Sequence, residues 1–258
     1  MIRGLYTAYT GMSTEQKRLD IISNNIANSA TVGYKEESVT SQSFDKVLGI
    51  KIKDGSEMYL DRPIGKMSLG VKIGEVYTDY GQGSLRSTGN TYDLAIEGDG
   101  FFGLAVTNRA GETSIKYTRN GNFKCTRDGY IVDDDGNRLQ GSSGDVQVPT
   151  DAAEISIGLD GQIFADGVPI GQISLYDFAD YDYLDKYGDS MYQTVDGATM
   201  IAATGAMHQG YTEQSNVNVV SEMVDLITIT RAYEAGQKVI QTEDELLSKS
   251  VNEVGKLG

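Results

Sequence analysis

Seven-residue spacing near the carboxyl end constrains this chain more than any other feature. Val219, Leu226, Tyr233, Ile240, Leu247 and Val254 recur at intervals of seven, the interval at which an α-helix returns nearly the same face to a partner. Four residues on from these, Met223 and Val251 are apolar, while Thr230, Gln237 and Asp244 are polar. Asn218 stands immediately before the stripe as an N-cap candidate. At about 1.5 Å per residue such a helix extends roughly 50 Å. A lone amphipathic helix usually lies back on its own domain. A stripe this narrow is a poor wall for a broad core and asks for another helix.

The amino end supplies one. Leu5, Met12, Leu19 and Ile26 also lie seven apart, widened by Ile2, Ala8, Tyr9 and Ile22 and interrupted by Glu15. Ser23, Asn24, Asn25, Asn28, Ser29 and Gly33 mark where this helix should stop. From about Thr31 to Arg62 no period is sustained, which reads as extended or partly mobile chain.

Between Lys66 and Met207 the pattern changes. Short apolar alternations are separated by Gly81-Gln82-Gly83, Asp99-Gly100, Asp128-Gly129, Asp135-Gly136-Asn137, Asp160-Gly161 and Asp166-Gly167. Asp-Gly supplies the positive φ of tight hairpin turns, so antiparallel strands are expected. The absence of intervening helical periods argues against βαβ units. The whole reads as α+β: an all-β central domain, barrel- or sandwich-like, flanked by long terminal helices that pair with each other. The expected divisions are an N-terminal helix (1–30), an extended linker (31–65), a β-rich domain (66–210) and a C-terminal helix (211–258).

Charge follows the same divisions. The net charge is −15, which disfavours nucleic acid. Residues 63–210 carry −11 of it, residues 1–62 are balanced, and residues 211–258 carry −4. The ends therefore repel other copies least. No apolar run approaches the roughly 20 residues needed to cross a bilayer. The opening MIRGLYTAYTGMSTEQKRLD has no charged flank followed by an apolar stretch, so no secretory signal is expected.

Leu5-Tyr6-Thr7-Ala8, Gly11-Met12, Ser23-Asn24-Asn25-Ile26-Ala27-Asn28, Thr31 and Gly33-Tyr34-Lys35 are similar to the N-terminal motif of the flagellar rod and hook protein family. Gly98-Asp99-Gly100-Phe101-Phe102 and Tyr117-Thr118-Arg119-Asn120-Gly121-Asn122-Phe123, leading to Asp128-Gly129-Tyr130, resemble the start of its β domain. Gln214 to Val220, Glu222-Met223-Val224, Arg231-Ala232-Tyr233-Glu234 and Ile240-Gln241-Thr242 resemble its C-terminal motif. The stretches 38–65 and 152–204 match nothing in it. The resemblance implies a structural rod subunit of the bacterial flagellar basal body, exported by the flagellum's own apparatus without a cleaved signal peptide; its terminal assembly helices, 1–30 and 211–258, would pair as a coiled coil on assembly, with 66–210 as the outer domain. Its partners would be copies of itself and other rod and hook proteins, and its cofactors none. Leu5, Met12, Leu19, Ile26, Val219, Leu226, Tyr233, Ile240, Leu247 and Val254 are the expected assembly seams. A hook or hook-adjacent subunit is the nearer alternative, which the short length disfavours.

Other constellations are weaker. One cysteine, Cys125, excludes an internal disulfide, and one histidine, His208, excludes most zinc sites. A Cys125–His208 thiol dyad lacks a third member, and Cys125 alternates with Phe123 as a packed thiol would. Asp133-Asp134-Asp135-Gly136-Asn137 resembles a calcium loop without its ligand spacing or closing Glu, and fits a hairpin turn better. Gly81 and Gly83 precede no phosphate-binding Lys. Asp177, Asp180, Asp182, Asp185 and Asp189, interleaved with Tyr176, Tyr181, Tyr183 and Tyr187, leave a secreted carbohydrate-binding β domain as a distant alternative. Seams at both ends have no use in such a module. No catalytic, cofactor or metal site is expected.

Overall fold

The computed structural model describes residues 2–44, 46–51, 62–68, 70–107, 111–188 and 190–254. Two helices, α1 (Ile2–Ala27) and α2 (Val219–Lys249), precede and follow a mostly β stretch in sequence, and α2 ends in a π-helical turn, Ser250–Val254. Two compact units result: stretches within 1–26, 37–78 and 219–258 form one, and 27–36 with 79–218 form the other.

In the first unit, the described strands within 37–51 and 62–78 make a two-armed ribbon. β1 (Glu37–Ser43) pairs antiparallel with β4 (Val71–Thr78), and β2 (Val47–Lys51) with β3 (Arg62–Met67). The pairs Glu37–Thr78, Ser43–Val71, Val47–Met67 and Lys51–Arg62 keep almost one register, so the extended stretch expected from sequence is extended because each arm hydrogen-bonds the other. Hydrophobic alternation was too weak to reveal this: the side chains of β1 range from half-buried to exposed, and a ribbon without one dry face leaves no period-2 signal.

The second unit is organised around the strand Phe101–Thr107. Antiparallel neighbours are Thr113–Thr118 across a hairpin, Arg138–Gly141 on the other edge, and Leu175–Phe178 at its start. Because side chains alternate across a strand, this one feeds two cores. Phe102, Leu104 and Val106 join Leu94, Ile96, Phe123, Ile131, Leu139, Ile163, Ile173 and Met207. Phe101 joins Tyr117, Phe178, Leu184 and Tyr192 on the opposite face. At Gly103 the Tyr176 ring covers the strand, and a Cβ there would stand 2.5 Å from that ring.

Of the barrel- or sandwich-like forms expected from the hairpin pattern, a closed barrel does not form among the described residues. Strand order runs openly from Leu184–Tyr187 at one edge to Lys124–Cys125 at the other. Past the central hairpin the strands are mostly two to four residues long, too short to carry a ladder round a closed cylinder.

Candidate functional site

Two arrangements involve the terminal segments, one in each unit. In the first unit α1 and α2 approach each other at three points. A Cβ on Gly4 would stand 2.9 Å from Glu243 Oε1, and one on Gly236 would stand 2.6 Å from Met12 Cγ. Asn25 Nδ2 donates to Glu222 Oε2 at 3.4 Å. The two residue numbers sum to nearly the same value at all three contacts, so the helices run antiparallel in constant register. At Gly236 the missing side chain leaves room for Met12 beside the α2 backbone.

The side chains of Leu5, Met12, Leu19 and Ile26 on α1, and of Val219, Leu226, Tyr233, Ile240 and Leu247 on α2, are all half-buried. Val254 belongs to the final π-helical turn, and its side chain lies outside the described set. The row beside this stripe differs from expectation. It lies three residues on, not four, and consists of Glu222, Ile229, Gly236 and Glu243. Glu222 and Ile229 are buried, whereas Met223 and Val251 are exposed. Hydrophobicity pointed to the wrong row because this one is polar or without a side chain at three of four positions.

Glu222 is a carboxyl out of place. Burial pushes its pKa up from the usual range, the Asn25 hydrogen bond opposes that, and Asp225 adds to it. Asn25 itself clamps the start of the ribbon: its amide donates to the Glu37 carbonyl at 2.8 Å, and its carbonyl accepts the Glu37 N–H at 3.1 Å.

In the second unit, the segment that follows α1 in sequence meets the segment that precedes α2. Glu213 is fully buried. Its Oε1 accepts from Lys35 Nζ at 2.6 Å and from the Gly83 N–H at 2.9 Å, and its Oε2 accepts from Arg119 Nη1 at 3.3 Å. Lys35 Nζ also donates to the Gly81 carbonyl at 2.8 Å. Burial lowers the Lys35 pKa, and Glu213 opposes the shift. The Arg119 guanidinium lies 5.2 Å from the Phe101 ring centre, within cation–π range. Backbone geometry is equally tight. The Gly33 N–H donates to the Glu213 carbonyl at 2.8 Å. With φ of +70°, a Cβ on Gly33 would lie 2.4 Å from the Arg119 carbonyl carbon. Asn216 completes the junction, accepting the Glu36 N–H at 2.8 Å and donating to the Asp79 carbonyl at 2.9 Å.

Sequence reasoning missed this cluster. Its signal was present, because each of the three recognisable blocks carries or adjoins one member: Lys35, Arg119 and Glu213. Gly81 and Gly83, weighed as a phosphate loop, are instead occupied by Lys35 and Glu213.

The other sequence candidates disperse. Cys125 Sγ contacts the Thr126 carbonyl at 3.4 Å, and His208 Nε2 lies 2.7 Å from Glu97 Oε2; no contact joins the two among the described residues. Asp133 shapes its own turn by accepting the Asp135 N–H at 2.8 Å. No group of three His, Cys, Asp or Glu residues is arranged to hold a metal among the described residues. In the Tyr/Asp stretch, Tyr181 donates to Asp177 at 2.8 Å and packs on Phe101 and Tyr80, so this half-buried ring is engaged with the second core. Asp189 lies outside the described residues. No helix among them is long and apolar enough to cross a membrane.

Three family models match. Residues 5–35 match the flagella basal body rod protein model, residues 95–165 the flagellar hook protein FlgE/F/G D1 domain, and residues 208–253 the flagellar basal body rod FlgEFG protein C-terminal model. The chain is 36% identical to the flagellar basal-body rod protein FlgG of Bacillus subtilis, over 98% of this chain and 99% of the relative. It is 36% identical to FlgG of Caulobacter vibrioides over 95% and 97% of the two chains. To the rod protein FlgF of the same organism it is 32% identical over the full length of both.

Proposed function

The chain belongs to the flagellar basal-body rod protein family, and from that premise we propose that α1 and α2 are the surfaces through which it polymerises into a tubular drive shaft. It is a structural subunit of the basal body and assembles with other flagellar rod and hook proteins. In this reading the terminal segments 1–30 and 211–258 wind together as a coiled coil and form the inner layer. The stretch 66–210, with most of the negative charge, forms the outer layer, and 31–65 connects them. The subunit leaves the cell through the flagellar export apparatus, becomes part of a rod that spans the envelope, and transmits torque by packing, without chemistry of its own.

One observation carries the proposal. All nine seam side chains described, from Leu5 to Leu247, are only half-buried in the single chain. They already contact other residues, yet each retains apolar surface for a neighbour to cover. The narrow stripe is thus half of an interface. Replacing Leu226 or Ile240 with aspartate tests it: basal bodies from such cells should lack the rod, and normal rods would refute the assignment.

A further inference from the structure

We propose that the groove between α1 and α2 receives an exposed apolar stripe of α2 from a second copy of this chain; this rests on the rod reading above and names the contact that would join two subunits. The groove has a volume of about 660 Å³ and is lined mainly by apolar surface from Ala8, Gly11, Met12, Ala232, Gly236 and Val239.

Gly11 identifies it as a docking surface. Glycine is among the poorest residues for a helix interior, so its presence in the middle of α1 needs a reason. Gly236 has one, because an added Cβ would stand 2.6 Å from Met12 Cγ of the same chain. A Cβ on Gly11 would meet nothing within 4 Å. Nothing among the described residues requires the missing side chain, and the open space belongs to the groove.

The occupant is present in the same sequence. Val220, Val224 and Ile227 are 73%, 58% and 53% exposed and, at spacings of four and three, line one side of α2. Each lies twelve residues before a lining residue, namely Ala232, Gly236 and Val239, so stripe and groove share a spacing and are offset by about 18 Å along the helix. Twelve residues also turn the helix by about a third of a revolution, so the two surfaces face different directions. One copy can therefore offer its stripe to another's groove while leaving its own groove free. That is a heterologous contact, which repeats as an open filament instead of closing as a two-fold dimer. Charge favours the α1 side of the groove. By sequence α1 has three basic and two acidic residues and α2 three basic and six acidic, and the charged lining residue, Glu15, is paired with Arg18 at 3.3 Å, so a second copy's α2 is repelled less by the α1 wall than by the α2 wall.

Gly11→Leu puts a side chain into the groove at a position where the added Cβ meets nothing within 4 Å. The variant should fold as the wild type does and be exported, yet no rods should be seen in purified basal bodies. Normal rods from Gly11→Leu overturn the groove assignment alone, while absence of the wild-type chain from basal bodies overturns the rod reading itself. A second measurement uses Cys125→Ser chains bearing either Gly11→Cys or Val224→Cys, made together in one cell. Oxidation of assembled rods should link one of each. Assembled rods without the mixed dimer, or Gly11→Cys linked to a different flagellar protein, contradict a second copy as the occupant.

Discussion

Lys35 Nζ and Glu213 Oε1 lie 2.6 Å apart with both side chains out of contact with water, although 178 positions separate the two residues in sequence. The pair ties the segment after α1 to the segment before α2, and Arg119 adds the β core to the same carboxylate. Removing one partner from such a cluster leaves a buried charge short of its counter-ion. Lys35→Met should therefore cost about 3 kcal/mol, read as a lowered denaturant midpoint for the β-rich unit. A change below 0.5 kcal/mol would mean that Arg119 and the Gly83 N–H suffice for Glu213.

Gly33 and Gly136 separate two kinds of glycine. Both have positive φ, +70° and +83°, but a Cβ on Gly136 would meet open space whereas one on Gly33 would meet the Arg119 backbone. Gly136→Ala should show only the left-handed backbone penalty, roughly 1–2 kcal/mol. Gly33→Ala should cost clearly more, because the backbone it strikes cannot rotate away. Thermal melts of the two variants compare them directly, and equal losses would show that the junction yields.

Glu222 makes the helix pair sensitive to pH. Its pKa is raised above the ordinary 4.5 in the folded chain, so the native state holds this proton more tightly than the unfolded chain does. The stability that this group contributes is complete below the ordinary value and is lost as pH rises through the raised one. Glu222→Gln keeps an acceptor for Asn25 and removes the charge. It should raise the melting temperature at pH 7 by roughly 2–4 °C and flatten that part of the pH profile. An unchanged pH profile would show that Glu222 is not responsible.

How much of this was legible in the sequence depended on whether hydrophobic side chains marked it. The α2 stripe from Val219 to Leu247 was readable because every member is apolar and the period is regular. Its companion row was not, since a Glu, a Gly and another Glu occupy the contact, and their positions follow from the approach of α1. The hairpins around Phe101–Thr107 announced themselves through Asp-Gly turns. Closure of the sheet did not follow from them, because turn chemistry sets local pairing and leaves the ends of the sheet open. Lys35, Arg119 and Glu213 were visible as ordinary charged residues. Only the fold brings them together, and burial is what makes them a structural unit.

In the free subunit, the seam should be the least protected helical region. Its side chains are half-buried, whereas Phe101, Phe102 and Leu104 are fully buried. Amide hydrogen exchange on the monomer should show α1 and α2 opening faster than the strand Phe101–Thr107. Equal protection would mean that the helices are already complete without neighbours.

The central claim, that the terminal helices are the assembly surface, is tested most directly by electron microscopy of basal bodies from three strains. Ile240→Asp places a carboxylate in the half-buried stripe, and burying it against a neighbour costs several kcal/mol, repeated at every subunit. Gln237→Asp adds the same charge at an exposed position of the same helix. Rods should be present in the wild type and in Gln237→Asp and absent in Ile240→Asp, with the melting transition of the β-rich unit the same in all three proteins. Full-length rods in Ile240→Asp would contradict the account.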